Sequence, residues 1–304
     1  MMRILGTILA GLLGLAFGSF LNVCLSRWPE GESVVAPRSH CRSCGRRLGW
    51  GENIPLLSWL ALRGRCRTCK SAISWRYPLV ELAVGALWAL IVWQHVARLV
   101  ALWPASQFPT TVSFSPFFLL QFFGSIVAEM FFFWMLVALA ALDAAHLWLP
   151  NRLTYPAIAV GFVLSVIPIS CGGPIESARW GSSHVKMAIA SLLAIAVAAG
   201  IILLIRWLYW LVKRQEGIGL GDAKLMAMLA AWLGLPGALL AFAIGVVLGT
   251  VVALVALVVP AARRGSDSWA MTRLPLGTFL CVGGIVAALW GPQIIAAYLK
   301  MEGF

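Results

Sequence analysis

Long apolar runs alternate with short basic stretches along this chain. Eight apolar segments stand out, at about residues 4–25, 79–103, 117–142, 155–170, 187–212, 222–234, 237–262 and 276–299. A helix needs about 20 residues to cross the hydrocarbon core of a bilayer. Six of the segments reach that length. The fourth and sixth fall short, and read as helices with little tilt, in a thinned bilayer, or broken near functional backbone. The pattern predicts an all-α polytopic membrane protein of about eight transmembrane helices. The first run, Ile4 to Leu25, exceeds a signal-peptide core of about 7–15 residues and reads as a retained span. Trp59, Trp75, Trp103, Trp148 and Trp269 flank the runs, where amphipathic rings settle at the interface.

Composition sharpens this picture. Hydrophobic residues make up 61% of the 304 positions and charged residues 11%, against roughly 25% charged in soluble domains. Most of the surface therefore faces membrane lipid. The net charge of +12 does not imply a nucleic-acid partner, because no basic helix is interleaved with solvent-facing aromatics. The basic residues instead follow the loops. Segments 26–78, 143–154, 213–221 and 263–275 hold sixteen Lys and Arg, and the opposite side holds four: Arg3, Arg179, Lys186 and Lys300. Cytoplasmic loops carry the excess of positive charge. The expected orientation has the N-terminus outside and segment 26–78 in the cytoplasm.

Chemistry enters with the cysteines. Of seven, Cys24, Cys171 and Cys281 sit in or beside apolar segments and read as small core residues. The other four form Cys41-Arg-Ser-Cys44 and Cys66-Arg-Thr-Cys69. Two C-x-x-C knuckles at this separation predict one tetrahedral zinc ion held by four thiolates. A reducing cytoplasm disfavours paired disulfides, and nearby arginines favour thiolates. Four cysteines leave no open coordination position, so the expected role is structural. The loop has little apolar core, and a metal staple supplies what it lacks.

Three aspartates occur: Asp143, Asp222 and Asp267. Asp267 lies in a polar loop. Asp143 ends the third apolar run, and Asp222 opens the sixth after Gly217-Ile-Gly-Leu-Gly221. The charge-derived orientation puts both on the cytoplasmic side at similar depth. Ionisable residues at a membrane boundary are costly and mark function. Two carboxyls about 3 Å apart cannot both ionise cheaply, so they share a proton. The anion activates a water; the acid hydrogen-bonds the peptide carbonyl and then protonates the leaving amine. The helix dipole, about 0.3–1 kcal/mol, assigns Asp222 as base and Asp143 as acid. Gly217, Gly219 and Gly221 let the loop bend Asp222 towards its partner. Lys224 either snorkels or tunes the site. Asn151, after Pro150, either caps the next helix or orients Asp143.

These residues resemble the type IV prepilin leader peptidases, the bacterial branch of the GxGD membrane aspartyl peptidases. The resemblance rests on Gly18-Ser-Phe-Leu-Asn-Val23, Pro37-Arg-Ser-His-Cys41, Glu52-Asn-Ile-Pro-Leu-Leu-Ser-Trp59 and Tyr77-Pro-Leu-Val-Glu81. It extends through Leu149-Pro-Asn-Arg-Leu-Thr154, Gly217 to Leu225, and Leu274-Pro-Leu-Gly277. Ile218 stands where methionine is common, and Leu276 and Thr278 replace a more usual Phe and Pro. None of these departures is expected to touch a catalytic group.

The resemblance implies cleavage of the leader of type IV prepilins or type II secretion pseudopilins, by Asp143 and Asp222, at the cytoplasmic face of the bacterial inner membrane. It also implies N-methylation of the new terminus with S-adenosylmethionine. Glu30, Glu32 and Glu52 are candidates for binding the leader's positive charge or the amine, or are solvated loop residues; Glu81 opens the second span and either pairs with a basic loop residue or contacts substrate. The expected organisation is a first helix at 1–25, a four-cysteine zinc domain at 26–78 and a seven-helix peptidase domain at 79–304. A presenilin-like intramembrane protease is one alternative, which the zinc loop argues against. A non-enzymatic membrane scaffold is the other, and it requires both aspartates to be dispensable.

Overall fold

The computed structural model describes residues 2–102, 116–167, 184–215, 219–258 and 274–301. Trp103, Cys171, Gly217, Asp267 and Trp269, together with Arg179, Arg263, Arg264 and Arg273, lie outside them. No strand occurs among the described residues. The helices are α1 (Met2–Arg27), α2 (Leu57–Ala61), α3 (Arg76–Leu102), α4 (Pro116–His146), α5 (Asn151–Val166), α6 (His184–Lys213), α7 (Leu220–Val258) and α8 (Leu276–Met301). Six of them, α1, α3, α4, α6, α7 and α8, are long and apolar enough to cross a membrane.

The short segments resolve in two ways. The fourth is α5, whose 16 residues rise about 24 Å at 1.5 Å each, less than a full bilayer core. The sixth and seventh are two halves of α7, which breaks at Gly234 (φ 69°, ψ 176°). Only glycine takes that backbone readily. Pro236 then opens the second half, where a missing N–H costs nothing.

The chain gathers into two compact units, residues 1–138 and 139–304. In the first, α1 packs along α3 on a seam of small residues. A Cβ on Gly14 would lie 2.9 Å from Gly85 Cα, and one on Gly18 would lie 2.7 Å from Glu81 Cα. Such stripes let helix backbones close where lipid gives no hydrophobic drive to association. Tryptophan N–H groups pin the first part of α4: Trp88 donates to Met130 O at 3.0 Å, and Trp134 to Phe17 O at 3.2 Å. The outer face of α1 exposes Leu5, Leu9 and Leu12 at 57–58%, as a lipid-facing surface requires.

In the second unit α7 is central, packed against α5, α6 and α8. Trp232 donates to Ala157 O at 2.8 Å, and its ring fills the space above Gly161, where a Cβ would meet it at 2.5 Å. The core is dense around the start of α7: Leu225, Met226, Met228 and Leu229 are fully buried. That packing leaves Asp222 little freedom to move.

Candidate functional site

Asp143 lies in the last turn of α4 and Asp222 in the first turn of α7. Both are buried, at 6% and 9% exposure, and their carboxyl groups lie within electrostatic reach of each other. The chain between them is arranged around Leu149. A Cβ on Gly221 would lie 3.1 Å from Leu149 Cδ1, and one on Gly277 would lie 3.1 Å from the same methyl. The starts of α7 and α8 therefore close on one side chain, bringing the two acids together. The turn out of α4 is strained: Leu147 has φ 50°, and its N–H donates to Asp143 O at 2.8 Å. Such left-handed residues are costly without glycine and persist where the surroundings enforce them.

Asp143 Oδ2 accepts the backbone N–H of Thr278 at 2.6 Å and lies 3.1 Å from the Thr278 hydroxyl. That hydroxyl also sits 3.1 Å from Ala140 O. It can donate to the carboxylate, or turn to the carbonyl and accept from a protonated Asp143. Thr278, expected to be remote from the chemistry, is thus the direct partner of Asp143. The neighbouring glycine is equally constrained, since a Cβ on Gly277 would fall 2.9 Å from the Asp143 carboxyl. The fully buried thiol of Cys281, one turn on, lies within electrostatic reach of both acids. The sequence signal for Thr278 was its replacement of a proline, which has neither donor.

The support residues divide. Gly219 N–H donates to Asp222 Oδ2 at 3.2 Å, and Gly221 gives the close approach to Leu149; Gly217 lies outside the described residues. Asn151 neither caps α5 nor touches Asp143. The N-cap is Pro150, with no side-chain bond, and Asn151 Oδ1 accepts Lys224 Nζ at 2.6 Å. Lys224 also lies 5.6 Å from the Tyr155 ring centre, so it ties α7 to α5.

In the first unit, the thiols of Cys41, Cys44, Cys66 and Cys69 all lie within 4.8 Å of one another. The Cys41–Cys69 separation is 3.8 Å, the sulfur–sulfur edge of a tetrahedron built on Zn–S bonds of about 2.3 Å. The two knuckles repeat one hydrogen-bond pattern. Cys41 N donates to Arg46 O and Gly45 N to Cys41 O; Cys66 N donates to Ser71 O and Lys70 N to Cys66 O. Backbone N–H groups, Cys44's foremost, hold the Cys41 thiol down to about 6. The Ser71 hydroxyl lowers that of Cys69. Both effects favour the thiolate at those two positions, while at Cys44 the Arg46 N–H is outweighed by desolvation and the neighbouring Cys41 and Cys69 sulfurs, which push the thiol up to about 11. Cys24 and Cys281 are buried core residues, as expected.

Beside the knuckles lies a cavity of about 700 Å³, walled by the end of α1, the start of α3 and the loop between them. Ligand sites commonly fall at about 300–1,000 Å³. Four carboxylates line it: Glu30, Glu32, Glu52 and Glu81. Glu30 pairs with Arg42 at 3.3 Å. Glu52 pairs with Arg46 and accepts Gly49 N–H.

Residues 12–95 match the Bacterial Peptidase A24 N-terminal domain, and residues 130–254 match the Type IV leader peptidase family. A Stutzerimonas stutzeri protein named prepilin leader peptidase/N-methyltransferase is 33% identical over 95% of this chain and 92% of its own length. A Pseudomonas putida protein of the same name is 32% identical over 97% of this chain and 94% of itself. One from Myxococcus xanthus is 37% identical over 75% of this chain and 57% of itself. No solved structure matches.

Proposed function

Because the chain belongs to the type IV leader peptidase family, we infer that it removes the N-terminal leader of prepilins or pseudopilins and then methylates the exposed amine. It is a multi-pass bacterial membrane protein and an enzyme of both activities, as its relatives' names state. The observation that carries the peptidase reading is the meeting of two buried carboxyl groups, Asp143 and Asp222, at facing helix ends.

In this reading one carboxylate draws a proton from a water, which attacks the scissile carbonyl. The other acid hydrogen-bonds that carbonyl oxygen and then protonates the leaving amine. The pair titrates as a unit. The hydrogen bonds bias the proton more than the helix ends do. Asp143 has two donors from Thr278, whereas Asp222 has one, from Gly219, among the described residues. Hydrogen bonds to charged groups contribute about 1.5–3 kcal/mol, against about 0.3–1 kcal/mol for the dipole. We therefore assign Asp143 as the resting anion and Asp222 as the acid, reversing the assignment drawn from the helix ends alone. Gly219, Gly221 and Gly277 shape the backbone around the pair, and Lys224 with Asn151 steadies α7.

The four cysteines fit a structural zinc ion by donor type and spacing. The charge asymmetry of the loops supports a cytoplasmic zinc loop and active site, with the N-terminus periplasmic, in the inner membrane. S-adenosylmethionine, when bound, supplies a methyl group activated on a sulfonium. The cavity beside the knuckles, lined by four carboxylates and by Arg27, Arg42 and Arg67, has the volume for such a donor. Trp59 and Tyr77 add aromatic surface to its wall.

Incubation of the purified protein with a prepilin, followed by N-terminal sequencing, tests the reading. Cleavage just before the apolar segment is expected, with none from Asp143→Asn or Asp222→Asn. Wild-type cleavage by either variant overturns the aspartyl mechanism.

A further inference from the structure

Glu81 stands apart from the other acids of the cavity. It is 8% exposed, in the second turn of α3. Its Oε2 accepts the Leu56 N–H at 2.8 Å. No Lys, Arg or His among the described residues forms an ion pair with it, and its side chain lines the cavity. Arg42 and Arg46 hold Glu30 and Glu52, and Arg27 donates to Ser33 O at 2.8 Å and Pro37 O at 2.6 Å; Arg67 also lines the cavity but forms no ion pair with Glu81. A carboxylate taken from water without a cation is costly. The chain nevertheless builds its backbone to place this one: Gly18 lets α1 approach Glu81 Cα, and Asn22 Nδ2 fixes the preceding turn through Tyr77 O at 2.9 Å.

Position selects the ligand. Glu81 lines the part of the cavity walled by two membrane-spanning helices, together with Ser19, Asn22 and Val23 of α1. An apolar helix embedded in the same bilayer would present its N-terminus there. A water-soluble co-substrate would reach the other end, among the polar loop residues. Once the leader is gone, the substrate's first group is an ammonium at the head of an apolar helix.

We propose that Glu81 binds this ammonium, making the membrane end of the cavity the acceptor subsite for methyl transfer; the proposal rests on the N-methyltransferase reading above. The carboxylate pairs with the ammonium and takes the proton that it must shed. The freed nitrogen pair then forms the bond to the methyl carbon, and the sulfur–carbon bonding pair stays with sulfur. The product is a secondary ammonium and a neutral thioether, with the proton released from Glu81 to water.

The test uses the full chain in detergent and two fluorescent peptides that begin with a pilin-like apolar helix, one with a free amine and one N-acetylated. Wild-type protein should bind the free-amine peptide at least tenfold more tightly, and Glu81→Gln should bring the ratio near one at unchanged melting temperature. Equal binding of both peptides by wild type, or a preference retained in Glu81→Gln, overturns the assignment. A zero-length carbodiimide cross-link needs no variant: the free-amine peptide should couple to Glu81 by mass spectrometry, and coupling at Glu30, Glu32 or Glu52 instead rejects it. Methyl incorporation from labelled S-adenosylmethionine is scored separately. Its absence with amine preference intact sinks the methyltransferase reading and leaves the ammonium site standing; incorporation without preference sinks the site alone.

Discussion

The four thiols of the metal cluster come from one loop, with Cys41 and Cys69 28 residues apart, whereas Asp143 meets Thr278 across 135 residues. In the loop, each knuckle folds on its own backbone bonds, and two copies of the same local turn bring the four thiols together. At the aspartates nothing local suffices. The starts of α7 and α8 must converge on Leu149, and Gly221 and Gly277 must lack side chains for them to do so. The loop is therefore expected to depend on its ligands, and the aspartate site on packing.

Five perturbations probe that difference. Metal removal should have the largest effect. Structural zinc contributes on the order of 10–16 kcal/mol in small metal-folded modules, so chelation should open residues 26–78 to protease while helical circular dichroism persists. A protected loop after complete chelation would mean that packing holds it after all.

Asp143→Asn and Asp222→Asn should each lower cleavage by on the order of 10²–10⁴-fold. Zinc content, measured by atomic absorption, should stay at one per chain in both.

Gly277→Ala tests convergence directly. Its methyl would fall 2.9 Å from the Asp143 carboxyl, and overpacking costs about 1–3 kcal/mol. Cleavage should fall about 10–100-fold with the loop's metal untouched; unchanged cleavage would show that the helix ends have slack. Thr278→Val removes only the hydroxyl and should lower kcat about tenfold, the worth of a hydrogen bond of roughly 1.5 kcal/mol, at unchanged KM. Thr278→Ser should restore it, which a purely structural role of the methyl would not allow.

The smallest effect is in the loop's pH response. Arg46 foremost, then Gly49 N–H, hold the Glu52 carboxyl below the usual range. A lowered folded-state value means the stabilisation is present above the unfolded value, near 4.3, and is lost as pH falls through the lowered one. Protease protection of the loop should therefore decline more between about pH 5 and pH 3 in wild type than in Glu52→Gln. Equal declines would assign the acid sensitivity to the cysteines alone.

Much of this was legible in the chain. Apolar runs located every long helix, since 20 residues of lipid-compatible side chains have no other use. The pause between residues 234 and 237 marked the break in α7, because glycine and proline act on their own backbone. The knuckles were legible for the same reason. Asp143 and Asp222 could be named because ionisable groups are rare in such a chain. Thr278 was legible only as a replacement for proline, since the role of a hydroxyl beside an apolar helix depends on a partner 135 residues away. Asn151 was misassigned because its neighbour in space, Lys224, is 73 residues away.

The sequence by itself determined the solvent, the helices and the four-cysteine cluster, because transfer energy, backbone preference and cysteine spacing are properties of short stretches. Only the tertiary structure decided which donors reach Asp143, and that Glu81 lines a cavity with no ion pair of its own among the described residues. Those depend on how closely distant helices approach, and a few missing Cβ atoms set that distance.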